Sequence, residues 1–480
     1  MGVSWTEDQE KAINSYGRGV TVSAAAGSGK TAVLIERIIR LLTDKKKKIP
    51  ADRLLAVTFT IDAAAQMRDK LAAAFAKKLA EDPDDPWLLK QQDLVQLARI
   101  STIDSFCFDM VKENLNQFDF IGGLKILADA ERENIFKTAF EQAAEELCLN
   151  DPEEYKLLDN YFPIEEGVLE QAVKELHGHL RSICHVDKWI ADTCEHFVDD
   201  SFFDEIYEAS FKRFERILRQ AHSKLEDARY CYNYVIKMDK DTYEFKKCAG
   251  TLEFNMQVCA DIYNSYELAC AHRSYEDLGK IETPKYKNII VSKKLPEDVQ
   301  SIFSDMKVRY KADIDAVCKL LKEGSKGLEL SKEHLRHNLI QAEEVFKALC
   351  RLEKRVGEVS YDIKLEKNAV DFNDIELMTK HLLVKETKEG FERTELAEEI
   401  RSGGYYKIIM IDEYQDVNDI QEIIFKSVSD TDDLSLMGSN TFIVGDMKQA
   451  IYGFRKTNPE LFKICIEQAQ RDDNSELEHI

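Results

Sequence analysis

Chain-breaking residues are scarce: 480 residues hold only 20 Gly and 8 Pro. Few tight turns are therefore available, which favours long helices over a strand-and-turn architecture. Basic charge is also in deficit. A net charge of −23 excludes a simple basic coat protein for nucleic acid and leaves any grip on an anionic strand to a local groove. No run of about 18 apolar residues occurs, and Met1–Asp8 shows no basic stretch leading into an apolar one. Neither a membrane span nor a signal peptide is read from it. The 11 Cys form no C-x-x-C pair and no cluster with His at zinc spacing. Cys107, Cys148 and Cys465 sit in apolar or helical contexts and read as buried free thiols. That usage suits a reducing cytoplasm. There is no internal repeat and no low-complexity tract.

What is present falls into three regimes, in line with roughly 150 residues per domain. Residues 1–110 alternate apolar strands with helical patterns. Val20–Val22 precedes a glycine-containing turn and a helix over Ala32–Leu42. Leu54–Phe59 is a second strand, followed by a helix over 62–80, and Arg99–Ile103 is a third. Strand, helix, strand, helix predicts a parallel sheet with covering helices. Residues 111–370 are rich in Glu, Lys, Leu, Phe and Tyr, with helix-period apolar positions as in Glu131–Leu147, Phe202–Leu225 and Leu335–Leu352. This reads as an all-helical insertion, broken near Asp151-Pro152, Thr283-Pro284 and Gly324–Gly327. Residues 371–480 return to α/β, with short strands at Lys407–Ile411 and Thr441–Val444. The fold class is therefore α/β, one parallel-sheet domain interrupted by a helical domain.

Three stretches carry chemistry. Ala24-Ala25-Ala26-Gly27-Ser28-Gly29-Lys30-Thr31 fits the phosphate-loop pattern G-x-x-x-x-G-K-[ST], with Ala24 in place of the first Gly. Gly27 and Gly29 let backbone N–H groups turn inward on phosphate oxygens, together with Ala26 and Ser28. The helix opening at Lys30 adds its dipole. Lys30 would neutralise the β- and γ-phosphates of ATP, and the Thr31 hydroxyl would hold Mg²⁺. The second stretch is Ile408–Glu413, an apolar strand delivering two adjacent carboxylates. Asp412 fits the metal-holding acid, and Glu413 the group that orients or deprotonates the attacking water. Standing alone, such a pair also fits a helix N-cap. The third is Val444–Arg455. Gln449 follows a strand closely enough to sense the γ-phosphate. Tyr452 and Phe454 offer faces for base stacking, with the cation of Arg455 beside them; taken singly, these rings also fit a core.

Together these stretches resemble the ordered motifs of superfamily-one DNA helicases of the UvrD/RecB type, and within them the N-terminal part of the AddA group. Trp5-Thr6-Glu7-Asp8-Gln9 resembles the segment whose glutamine reads the adenine edge, here Gln9. Val57-Thr58-Phe59-Thr60, followed by Ala63-Ala64 and Met67, resembles the first DNA-contacting motif. Ser101–Cys107, with Thr102 and Ser105, resembles the next. Asp412–Asp416 is similar to the D-E-Y-Q-D box, and Val444–Arg455 to the box joining ATP state to DNA grip. Asp371-Phe372-Asn373-Asp374 resembles the segment that precedes the acidic box, and it also reads as a helix N-cap pair. Asp104 stands where the family has His, and Ile61 where it often has Asn. A carboxylate at 104 is unfavourable beside a DNA phosphate.

The resemblance implies a RecA-like domain, ATP and Mg²⁺ as cofactors, translocation on single-stranded DNA, and unwinding of duplex ends in double-strand-break repair. It also implies an AddB-like partner in a heterodimer. The arginine motif, second RecA-like half and nuclease domain that it further implies do not occur before Ile480, so the chain is expected to be an N-terminal fragment with little turnover of its own. A UvrD-like helicase without nuclease, and a non-catalytic ATP-binding scaffold that docks a partner, are the alternative readings.

Overall fold

The computed structural model describes all residues except 1–3, 26, 122, 239–240, 282–285, 325–331, 388–389, 451–456 and 472–476. The chain forms two compact units: one of residues 1–189 and 348–480, the other Ile190–Lys347.

The first unit is built on a six-stranded sheet, parallel throughout. From edge to edge its strands are Leu477–His479, Gly19–Ser23, Thr441–Gly445, Ile408–Ile411, Leu54–Thr58 and Arg99–Thr102. The three strands at 54–58, 408–411 and 441–445 are buried at every residue, as expected where helices cover both faces. Period-two alternation divides them. Leu55, Val57, Ile409, Ile411 and Ile443 belong to the core on one face. Leu54, Ala56, Ile408, Met410, Phe442 and Val444 belong to the core on the other.

Strand order positions the site. From Gly19–Ser23 the chain crosses to Leu54–Thr58 and Arg99–Thr102. Far later, Ile408–Ile411 and Thr441–Gly445 fill the gap left between. Because all strands are parallel, the residues after Ser23, Thr58, Thr102, Ile411 and Gly445 gather along one edge. The carboxyl edge beside such a change of direction is where open α/β sheets bind ligands. Helix starts there are fixed by strand-end hydroxyls. Thr60 accepts from the Ala63 amide at 3.2 Å and Thr102 from the Ser105 amide at 3.2 Å, the usual N-cap arrangement.

The boundaries expected from composition, 110 and 370, differ from those of the compact units. Helices Ile103–Glu113, Asp129–Asn150, Pro152–Tyr161 and Val168–Leu180 belong with the sheet. Phe120 and Cys184 join the core that contains Leu55 and Ile409. Nor is 111–370 wholly helical, since Lys125–Ile126 pairs in parallel with Ala369–Val370. A two-residue strand leaves no periodic trace in sequence. The expected break at Asp151-Pro152 is present, with Pro152 opening a helix capped by Asp151. That at Thr283-Pro284 lies outside the described residues.

The second unit is helical at every described element. Its long helices are Asp200–Ile236, Tyr243–Ala271 and Glu297–Gly324. On the first, Phe211, Phe214, Leu218, Ala221, Leu225 and Ala228 are buried. This alternating three- and four-residue spacing makes a narrow apolar seam. Cys107 and Cys465 are buried as expected, whereas Cys148 is exposed in the last turn of its helix.

Candidate active site

The turn after Gly19–Ser23 is shaped by Gly27 and Gly29, at φ 77° and 86°. This left-handed region is strained for other residues. Gly29 is the N-cap of the helix Lys30–Thr43, whose first turn has no acidic residue and no side-chain cap. Its N–H groups are thus left to an external acceptor, and an anion fits there. Gln9 reaches this turn. Its Nε2 donates to the Ser28 carbonyl at 3.0 Å, while its Oε1 accepts from the Thr6 amide at 2.9 Å. Ser28 is exposed and Thr31 half-buried. Ala26 lies outside the described residues.

Lys30 and Glu413, 383 residues apart, meet with Nζ to Oε2 at 3.2 Å. Asp412 is held on the same edge by its amide, which donates to the Val57 carbonyl at 3.0 Å. Burial pushes the Asp412 carboxyl up to about 6, and the neighbouring Glu413 charge adds to this. A cation close by would offset that cost. Glu413 itself sits at φ 55°, a strained conformation for a side-chain-bearing residue and one that concentrates at functional sites.

Sequence reasoning gave Gln415 and Asp446 no role. The buried Gln415 side chain donates from Nε2 to Glu413 Oε2 at 2.9 Å and accepts at Oε1 from the Asp446 amide at 2.9 Å. It thereby ties the 408–411 strand end to the 441–445 strand end. Gly445 allows this approach, because a Cβ there would lie 2.8 Å from Gln415 Oε1. The sequence signal for Gln415 was its position two after Glu413, in a box read for its acids. Gln449 Nε2 donates to Asp446 Oδ2, so its amide joins the same array. The donor set fits a Mg-bound triphosphate: an ammonium, open amides, a hydroxyl and two carboxylates on one edge.

A second concavity of about 600 Å³ opens on the same unit. It brings together Thr58, Phe59, Thr102, Asp104, Glu376 and Asp416. Ser105 lies instead in an adjoining hollow of about 330 Å³ with Thr102 and Arg68. Thr60 is exposed as a helix cap and lines neither. Ile61 is 73% exposed. Tyr452, Phe454 and Arg455 lie outside the described residues.

Glu376 was not foreseen. It accepts from Asn418 Nδ2 at 3.1 Å and from Gln421 Nε2 at 2.5 Å. Burial pushes its carboxyl up to about 7; the two amides oppose this and the Asp104 charge adds to it. The neighbouring Asp371–Asp374 segment is a capping box for the helix Phe372–Leu383. Lys364 Nζ bridges both carboxylates at 2.6 and 2.8 Å, and Arg181 contacts both as well.

The UvrD/REP helicase N-terminal domain profile matches residues 5–470. The chain belongs to this family. Among curated proteins it is 31% identical over 490 residues to an ATP-dependent helicase/nuclease subunit of Clostridium acetobutylicum, a match covering 96% of this chain and 36% of that protein. The Clostridium perfringens protein of the same name is 32% identical, with 96% and 36% covered. That of Clostridioides difficile is 31% identical, with 95% and 35% covered. This family member thus spans about a third of the length of those relatives. No helix among its described residues is long and apolar enough to cross a membrane.

Proposed function

We propose that this chain is the ATP-binding part of an ATP-dependent DNA helicase/nuclease of the AddA group, working in the cytoplasm on DNA ends together with an AddB-like partner. Its sheet unit is read as a RecA-like domain, and the helical residues between its two halves as an insertion in that domain. The observation that carries the reading is the meeting of Lys30 with Glu413, beside Asp412, at one sheet edge.

Lys30 and the amides of the glycine turn bind and orient the triphosphate. Gln9 holds the turn and reads the base. Thr31 and Asp412 hold Mg²⁺, which supplies charge neutralisation at the transferring phosphoryl group. Glu413 orients a water and accepts its proton. Gln449, held on Asp446, senses the terminal phosphate. Thr58, Phe59 and Thr102 face the strand from the 600 Å³ cleft. Thr60, Ser105, Tyr452, Phe454 and Arg455 complete the proposed DNA contact set.

In this reading an arginine from an opposing domain supplies about 10³–10⁵ in rate, so this chain binds ATP but turns it over very slowly. The test is nucleotide binding and ATPase of the chain, wild type against Lys30→Ala, with and without single-stranded DNA. Saturable Mg-dependent binding lost in the variant supports the proposal. Equal binding by both proteins overturns it. A second reading, a nucleotide-binding scaffold, is favoured by the carboxylates of Asp104 and Glu376 in the cleft. It requires partner binding in the intact protein to survive when Lys30→Ala abolishes nucleotide binding, with no DNA-dependent ATPase in either.

A further inference from the structure

Two arginines tie the short N-terminal helix to the helix that opens at the glycine turn. Glu7–Asn14 is eight residues long, too short to hold its shape alone. Its Ala12 and Ile13 share a core with Val33, Leu34 and Ile38 of the helix Lys30–Thr43. Arg37, 4% exposed, donates from Nη1 to the Ala12 carbonyl at 2.7 Å and to the Ile13 carbonyl at 3.4 Å. Carbonyls in a last turn have no partner within their own helix, and the helix dipole is negative there. The Arg37 guanidinium also lies over the Phe442 ring, 4.5 Å from its centre. One turn on, Arg40 forks onto Glu10, with Nη1 to Oε2 at 2.7 Å and Nη2 to Oε1 at 3.1 Å, and its Nη1 donates to Asn14 Oδ1 at 3.2 Å.

Both ends of the Gln9 amide are engaged within the protein, by the Thr6 amide and the Ser28 carbonyl. The group cannot turn over without losing both bonds. One N–H and one lone pair remain to it, a donor and an acceptor side by side. The adenine edge offers the matching acceptor and donor at N7 and N6, whereas guanine offers two acceptors there. Selection then depends on where this amide stands relative to the phosphates. Building on the nucleotide site proposed above, we infer that Arg37 and Arg40 are positioning residues for base selection: by pinning one helix to the other they fix the distance from the Gln9 amide to the phosphate-binding turn.

The two arginines act differently. Arg37 is a buried cation whose described partners are carbonyls and a ring rather than a carboxylate, and its Nε has no hydrogen-bond partner. Burial draws it down to about 10, against the Glu478 charge, so it stays charged at neutral pH. Burying such a group is costly, and an aliphatic side chain would fill the space at less cost. What the guanidinium supplies is a fixed direction between the two helices. Arg40 is about a third exposed. Its planar fork matches the Glu10 carboxylate in one geometry, which a lysine cannot reproduce. Glu10 is the residue next to Gln9. Without Arg40 the helix keeps its apolar contacts through Ala12 and Ile13 and loses the charged anchor beside the base-reading amide.

The experiment measures binding of ATP, GTP and inorganic tripolyphosphate to the 480-residue chain in excess Mg²⁺ by calorimetry. Tripolyphosphate reads the glycine turn alone, and ATP against GTP reads Gln9. The wild type is expected to favour ATP. In Arg40→Ala the ATP affinity falls about tenfold towards that of GTP, while tripolyphosphate binds as before. Arg40→Lys keeps the charge without the fork and recovers only part of the loss. Arg37→Lys, with folding checked by circular dichroism, gives the same selective loss. An unchanged ratio of ATP to GTP affinity in Arg40→Ala or Arg37→Lys would overturn that arginine's role, and so would an equal fall for all three ligands. Equal affinity of the wild type for ATP and GTP would overturn base reading by Gln9, and this inference with it, while leaving the phosphate site standing. A wild type that bound none of the three ligands would overturn the nucleotide site itself together with this inference.

Discussion

In the proposed nucleotide site, the two ends of the Lys30–Glu413 ion pair should act in opposite directions on nucleotide binding. Without nucleotide, the ammonium is already engaged by a carboxylate at 3.2 Å, so an incoming phosphate must compete with Glu413 for it. At an effective dielectric constant of about 20 the Coulomb attraction at that separation is about 5 kcal/mol. Lys30 is 9% exposed and Glu413 35%. Desolvation of the one and solvent screening of the other leave a net worth of about 1–2 kcal/mol. Glu413→Gln keeps the shape and removes the competing charge, so ATP affinity should rise about 5- to 30-fold. Lys30→Ala removes a charge-assisted bond worth about 1.5–3 kcal/mol and leaves two carboxylates facing the phosphates, so affinity should fall tenfold or more. Titration with a fluorescent ATP analogue in excess Mg²⁺, with circular dichroism to check folding, measures both. Shifts of the same sign, or no shift in either variant, would refute the competition.

Glu376, raised from 4.5 to about 7 by burial, keeps its proton in the folded state over a range where the unfolded chain has lost it. Stability therefore falls as pH rises from about 4.5 to 7, by about 3 kcal/mol at 1.36 kcal/mol per unit. Urea denaturation at pH 5 and pH 8 should show that Glu376→Gln removes this part of the slope; an unchanged slope counts against it. Arg181→Ala leaves Asp371 and Asp374 with Lys364 as their one remaining cation among the described residues. Loss of a buried charge partner costs about 3–5 kcal/mol, so the first unit should unfold at lower urea, and equal midpoints would contradict the network. Gly29→Ala forces a side chain to φ 86°, costing about 1–2 kcal/mol. Nucleotide affinity should drop with little change in helix content, and an unchanged affinity would place the phosphates elsewhere.

The residues of the proposed nucleotide half of the candidate site could be picked out because they are local in sequence. Gly27, Gly29 and Lys30 lie in one turn, and Asp412 and Glu413 are adjacent at the end of an apolar strand. The separation of 383 positions between Lys30 and Glu413 did not obscure them, since each group carries its own strand context. Gln415 and Glu376 were not legible. A glutamine or glutamate in an amphipathic stretch is ordinarily a solvated residue, and only packing shows that these two are buried and bonded across elements. The compact units divide the chain elsewhere than composition does for the same reason. The helices over 129–180 have the composition of an insertion, yet they fall in the same compact unit as the sheet. Arg181, whose partners lie 190 and 193 residues away, has no local signal at all.

The segment Asp412–Asn418 is where the two halves of the site become one structure. At its start, Glu413 meets Lys30, and Gln415 meets the amide of Asp446. At its end, Asn418 caps the helix Asp419–Val428 and donates to Glu376 on the wall of the 600 Å³ cleft. Asp416, between them, lines that same cleft. Gln415 and Asn418 are buried and bonded, so a shift of the segment at either residue breaks a buried hydrogen bond at a cost of about 1–3 kcal/mol. Under the proposed function, a phosphate that draws Lys30 away from Glu413 is expected to act on the cleft through this one short segment. The warrant for that expectation is the continuous set of contacts from Lys30 through Glu413 and Gln415 to Asn418 and Glu376.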